Sequence, residues 1–241
     1  LRVKFVMRGE VFPVSYNFLT LGIVKEALKN SSYDYYSELF YYEQKNNKKA
    51  KPFCTAIVLR SYKIENELFR LESPFEFWLS TPDPTFFTHL YNGMISLKSF
   101  DYKGMKFSLI SASMLNEKLI LTEKVVFKTI SPICIKDKQG RYLDVGDAQF
   151  VENLNYYADL ILKNFRKRGL KKSLEFQPID MKKRVVKLGD DLIENKKYYV
   201  NSWYGEFLLS GDPEDLNLIY QLGLSCRRAE AFGLLEVVEV M

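Results

Sequence analysis

Histidine is nearly missing from this chain of 241 residues, with His89 its only example. A lone imidazole removes the usual His-dependent metal sites and the Ser-His and Cys-His catalytic pairs. Cysteine is scarce as well. Cys54, Cys134 and Cys226 are odd in number and widely spaced, which argues against a disulfide framework and a Cys-based metal site and fits a reducing cytoplasm. No run of about eighteen apolar residues occurs, so a membrane partner is not expected. The start Leu1-Arg2-Val3-Lys4-Phe5 alternates like a strand and lacks the apolar block of a signal peptide. Low-complexity tracts are absent, and the acidic residues form no cluster with ligand spacing, so no metal or other cofactor is implied.

What is present is a large apolar fraction, 47%, in a chain long enough for two domains. The formal net charge of +5 permits a polyanionic partner without demanding one. Val3, Phe5 and Val11 share a period-two pattern that predicts a strand over residues 2–11. Residues 15–29 carry Phe18, Leu19, Ile23, Val24, Ala27 and Leu28 at helical spacing, with Ser15 as the expected N-cap. An aromatic-rich stretch, 33–44, predicts a short helix before a basic run. Residues 53–59, 68–71 and 75–79 read as strands, Asp83-Pro84 opens a helix, and 106–115 returns as a strand. The order then repeats: strands at 119–130 and 131–135, a helix at 148–168, a hairpin at 173–188 and 197–209, a helix at 213–223 and a strand at 232–240. Strand, helix, strands, helix, strand is a ferredoxin-like order. The expected fold is therefore α+β, two tandem ferredoxin-like (RRM-like) domains over 1–116 and 117–241, each an antiparallel sheet with helices on one face.

The loop before the last strand holds the most informative residues. Gly223 and Gly233 bracket it, Ser225 and Ala231 lie just inside, and Arg227-Arg228 occupy its middle. Glycine lets backbone N–H groups approach a bulky anion, and adjacent arginines offer forked donors for phosphate oxygens. Gly223-Leu224-Ser225 and Ala231-Phe232-Gly233 resemble the paired Gly-apolar-Gly triplets of the glycine-rich motif in CRISPR repeat-processing endoribonucleases of the RAMP superfamily. Two of the four glycines remain, and the other two are replaced by small residues. The phrase Phe127-Lys128-Thr129-Ile130-Ser131-Pro132-Ile133 is similar to that family's opening of its second domain, and residues 14–29 with Gly22 to its first helix.

The resemblance implies metal-independent cleavage of a CRISPR precursor RNA repeat, in which a ribose 2′-OH attacks the adjacent phosphate and leaves a 2′,3′-cyclic end. That chemistry needs a base, an acid and a cation for the charge on phosphorus. The family's tyrosine, histidine and lysine positions fall here on Lys25, Phe40 and Lys51. Phe40 cannot move a proton, and the neighbouring Tyr41 and Tyr42 belong to a side-chain class with an ordinary pKa of about 10. Lys25, Lys51, Tyr41 and Tyr42 are the catalytic candidates, with Gly223, Ser225, Arg227, Arg228 and Gly233 as RNA-binding ones. Lys182, Lys183, Arg184 and Lys187 join the binding set, because a hairpin that also carries Lys196 and Lys197 would place like charges opposite one another, a repulsion an RNA backbone relieves. Asp190-Asp191 is read as that hairpin's turn, and His89 as structural. The expected partner is CRISPR repeat RNA, with the protein a monomer or homodimer. Rival readings are a non-catalytic repeat-binding relative, favoured by the missing histidine, and an architectural subunit of a CRISPR effector complex.

Overall fold

The computed structural model describes residues 1–43, 45–47, 49–191 and 196–241. The first half is built from β1 (Arg2–Arg8), α1 (Asn17–Ser31), α2 (Tyr33–Phe40), β2 (Cys54–Val58), β3 (Phe75–Ser80), α3 (Pro84–Leu97) and β4 (Met105–Met114). The strands pair antiparallel in the order β2-β3-β1-β4, extended at the far edge by Ser99–Tyr102. Alternation sends Val3, Phe5 and Met7 to one face, where Phe77 stands opposite Phe5 and Leu79 opposite Val3. That face is covered by Leu19, Ile23 and Ala27 of α1 and Phe86, Leu90 and Met94 of α3. Each fully buried large apolar side chain contributes about 1.5–3 kcal/mol. The helices touch backbone to backbone: a Cβ on Gly93 would lie 1.9 Å from the Ala27 carbonyl oxygen.

Asp83 caps α3 as expected, its carboxylate accepting from Thr85 and Phe86 N–H groups, with Pro84 in the first turn. The cap of α1 differs from the expectation. Tyr16, not Ser15, precedes the helix and offers no side-chain cap. The first helical residue, Asn17, turns its amide away to donate to Glu230 O at 2.7 Å.

The second half repeats the plan with β5 (Lys124–Thr129), α4 (Phe150–Arg166), β6 (Glu175–Asp191), β7 (Lys196–Ser210), α5 (Pro213–Leu222) and β8 (Leu235–Val240). Its antiparallel order, β6-β7-β5-β8, matches the first when strands are counted in chain order. Both sheets place their first and third strands in the middle, the ferredoxin-like arrangement, and the chain is two such domains in tandem. A separate core of Val125, Phe127, Phe207, Leu154 and Leu216 fills the second.

Two local expectations need correction. Residues 131–135 form no strand; only an Ile133–Trp203 bridge remains, since Pro132 has no N–H to give a ladder. The basic hairpin also avoids opposing its like charges. Lys182, Lys183, Arg184 and Lys187 stand opposite Tyr204, Trp203, Ser202 and Tyr199. Asp190 and Asp191 are strand residues paired with Lys197 and Lys196, not the turn. The side chains of Lys196 and Lys197 lie outside the described residues.

Candidate nucleic-acid interface

The loop 223–233 runs from α5 to β8 and is pressed into the first domain. Gly223 has φ +78°, and a Cβ there would lie 2.4 Å from Cys54 Sγ in β2. Gly233 also has φ +78°, with Leu224 O only 2.5 Å from its would-be Cβ. The Leu224 N–H donates to Gly233 O at 2.9 Å, so the two ends close on each other. Ser225 is buried and both donates to Cys134 O and accepts from Cys134 N–H. Ala231 N–H reaches Thr55 Oγ1 at 3.1 Å, and Ser131 Oγ donates to Thr55 O at 3.0 Å. Small residues at 223, 225, 231 and 233 thus let this loop fit against an edge strand of the neighbouring domain.

The adjacent arginines have different surroundings. Arg228 is buried and donates to the carbonyl oxygens of Lys51, Phe53 and Leu222. Burial pulls its pKa down to about 10. Arg227 is half-buried, donates from Nε to the Tyr142 hydroxyl at 3.0 Å and forms an ion pair with Glu230.

Through Lys51 O, Arg228 fixes the backbone that carries the Lys51 side chain. Lys51 Nζ donates to Leu39 O at 2.9 Å and Asn47 O at 2.8 Å. It stands 5.2 Å from the centre of the Phe40 ring, and Lys25 Nζ, arriving from α1, stands 5.1 Å from the same ring. Burial, helped by the nearby Lys25 charge, lowers the Lys51 pKa to about 8. Phe40, the position matched to the family histidine, is therefore a buried platform under two ammonium groups.

These groups share one cleft of about 440 Å³, lined by Lys25, Phe40 and Lys51 on one side and by Ser225, Cys226, Arg227, Arg228 and Glu230 on the other. Its carboxylate, Glu230, is already engaged by Arg227, so the lining suits an anion. Lys51 and Asn47 also border an adjoining cleft of about 580 Å³, whose walls include Tyr41, Tyr42 and Lys167. Tyr41 meets the Tyr36 hydroxyl at 3.2 Å, and burial pushes the Tyr36 phenol up. Tyr41 and Tyr42 are thus beside the lysines but do not line the cleft that faces the glycine-bracketed loop.

Lys182, Lys183, Arg184 and Lys187 line neither cleft. Lys182 is 81% exposed with Asp180 3.7 Å away, Lys183 pairs with Asp144 at 2.8 Å, and Arg184 lies 5.9 Å from the Tyr204 ring. Lys187 reaches across to Glu67 of the first domain at 2.8 Å. His89 stacks on Tyr35 with ring centres 4.5 Å apart and meets Ser31 Oγ, a packing role. Sequence reasoning missed Asn47, Lys49, Tyr157 and Ile161, which also line the cleft facing the glycine-bracketed loop. Tyr156-Tyr157 on an otherwise amphipathic helix was the available signal. Among the described residues no group of three or more His, Cys, Asp or Glu is placed to hold a metal ion, and no helix is long and apolar enough to cross a membrane.

The family model described as CRISPR associated protein Cas6, C-terminal, matches residues 115–237, just over half of the chain. No curated protein matches by sequence. Among solved structures, a Cas6-related protein from Pyrococcus furiosus is similar with a TM-score of 0.83 at 16% identity, covering 100% of this chain and 99% of that one. A RAMP protein described as binding different RNA substrates gives 0.80 at 16% identity, with 99% of each chain covered. The Thermus thermophilus Cas6 TTHB231, in a product complex, gives 0.68 at 13% identity over 98% of this chain and 99% of that chain. At such identities these likenesses speak for the fold, which they share from end to end. The family match rests on the sequence of the second domain and its glycine-bracketed loop, and by it the chain belongs to the Cas6 family of CRISPR-associated proteins.

Proposed function

We propose that this protein binds CRISPR repeat RNA in the cleft between the two lysines and the glycine-bracketed loop, and cuts it there without a metal. The observation that carries this reading is the convergence of Lys25 and Lys51 over the Phe40 ring, facing Arg227 across one cleft. The similar structures include two Cas6 product complexes and a RAMP protein described as binding different RNA substrates, which supports RNA as the occupant. A ribose 2′-OH passes its proton to water as its oxygen attacks the adjacent phosphorus, the bond to the 5′-oxygen breaks, and a 2′,3′-cyclic phosphate remains. Lys25 and Lys51 hold the charge that gathers on the phosphoryl oxygens, and Lys51, with its lowered pKa, supplies a proton to the departing oxygen. Tyr41 or Tyr42 positions the neighbouring nucleotide. The cleft holds the 2′-OH in line, which supplies rate without a strong base.

Gly223, Ser225 and Gly233 shape the loop, Arg228 anchors it, and Arg227 contacts phosphate. RNA flanking the cut follows the exposed Lys182, Lys183 and Arg184, while Lys187 steadies the domain pair through Glu67. The division between domains falls at 116/117, in the connection between β4 and β5. The protein works in the cytoplasm as a monomer or homodimer.

One observation favours a second reading, repeat binding without cutting: Phe40 at the matched histidine position leaves no imidazole in the cleft. Incubating labelled repeat RNA with the protein in chelator separates the two. One cut per repeat with cyclic-phosphate ends is expected, and RNA retained intact would sustain the binding-only reading.

A further inference from the structure

Cys226 on the cleft wall and buried Cys134 behind it are a pair of groups for which RNA binding has no use. Cys226 follows Ser225 in the glycine-bracketed loop and is half-buried at the cleft, and its Sγ lies 3.4 Å from Sγ of buried Cys134. A disulfide needs about 2.0 Å, so the sulfurs must close by little more than an ångström. The backbones already run together: Cys226 N–H donates to Cys134 O at 3.0 Å, and Ser225 bonds both ends of Cys134. Ninety-two positions apart in sequence, the two cysteines meet only through the fold.

We propose that Cys134 and Cys226 form a reversible disulfide, an oxidative modification site that fixes the loop lining the RNA cleft. With a peroxide as oxidant, the Cys226 sulfur attacks one peroxide oxygen. The O–O bond breaks, the sulfur is oxidised to a sulfenic acid, and the other oxygen leaves as water after protonation. Cys134 then gives up its proton and its sulfur attacks that of Cys226. The S–O bond breaks, the S–S bond forms, and the hydroxyl departs with the proton as a second water. Two thiol hydrogens and one peroxide yield one disulfide and two waters.

The surroundings suit this order of events. The Cys134 thiol donating to it, with Lys136 and Arg227 close by, holds the Cys226 thiol below its usual pKa, which favours the reactive thiolate. Burial holds the Cys134 thiol up, so it resolves instead of starting the reaction. Cys54 is an internal control, fully buried, donating to Phe232 O at 3.2 Å and with its thiol pushed up to about 12.

The effect on RNA rests on the proposed function. Drawing Cys226 toward Cys134 carries Arg227 with it, and shifts of about 1 Å at such sites change rates about 100-fold. The test treats the full chain with hydrogen peroxide, alkylates the remaining thiols, and maps them by mass spectrometry before and after dithiothreitol. Expected is a reversible loss of Cys134 and Cys226 labelling with Cys54 labelling after denaturation unchanged, and repeat-RNA retention lowered about tenfold in the oxidised protein. Cys134→Ser and Cys226→Ser, checked for folding by circular dichroism, should each abolish the disulfide and make RNA retention indifferent to peroxide. Both thiols still alkylated, or only intermolecular dimers, would overturn the disulfide. A disulfide that leaves RNA retention unchanged would overturn its effect on the cleft. A reduced protein that retains no repeat RNA would instead defeat the functional reading and leave the disulfide standing.

Discussion

Lys51 ties cleavage to pH in a way that can be worked out in advance. Its ammonium is half-buried beside Lys25 and titrates near pH 8 in the folded protein. It is therefore about nine-tenths charged at pH 7 and about one-tenth charged at pH 9. If that cation steadies the phosphoryl charge and hands on its proton, the single-turnover cleavage rate should fall about tenfold across that interval. Lys51→Arg, whose guanidinium stays charged throughout, should lose the descending limb, and Lys51→Ala should cut about 100-fold more slowly at pH 7 while still binding RNA.

Unfolding cannot mimic this limb through Lys51. In the unfolded chain the group titrates at 10.5, above its folded value. Between about pH 8 and 10.5 the unfolded state then binds more protons, so this group makes the fold more stable as pH rises, its penalty being full below pH 8. The assay is quench-flow cleavage of labelled repeat RNA at fixed ionic strength. A Lys51→Ala protein with unaltered rate and intact binding, or a Lys51→Arg protein with the wild-type limb, would refute the role given to Lys51.

Three further outcomes follow from the packing. Gly223→Ala should destabilise the protein by about 2–4 kcal/mol in urea titrations, since φ is positive and Cys54 Sγ occupies the space, whereas Gly140→Ala, at φ +84° in open space, should lose no more than about 1 kcal/mol. Arg228→Met should lower stability by about 2–4 kcal/mol in thermal denaturation. It strands the carbonyls of Lys51, Phe53 and Leu222 but relieves the burial of a charge. Arg227→Ala and Lys182→Ala should each reduce the salt slope of RNA binding by about one, and only Arg227→Ala should slow cutting.

Much of the fold was legible because the first and third strands of each domain lie under helices and must alternate, as Val3, Phe5 and Met7 do, and because Asp83-Pro84 and Asp212-Pro213 mark helix starts through backbone chemistry. Pro132 misled, since its flanking apolar residues are buried by loop packing and not by a ladder. In the site, the family resemblance made Lys25 and Lys51 candidates, and the glycines at 223 and 233 with the arginines between them marked the loop 223–233. Spacing had no means of dividing Arg227 from Arg228, because that depends on which carbonyls the first domain presents. The basic strand misled for a similar reason: register, invisible in sequence, set its lysines against Tyr204, Trp203 and Tyr199 and left the like charges apart. The Cys134–Cys226 contact was equally hidden, since odd and widely spaced cysteines give no local sign of a pair.

Photocrosslinking tests residence of RNA in the cleft most directly. Repeat RNA bearing a photoreactive base beside the expected cut, irradiated on the protein and mapped by peptide mass spectrometry, should attach to residues 46–47, 49–51, 157–161 and 225–230, from both walls at once. Crosslinks confined to the exposed face of β6, with none at the lysines or the glycine-bracketed loop, would contradict it.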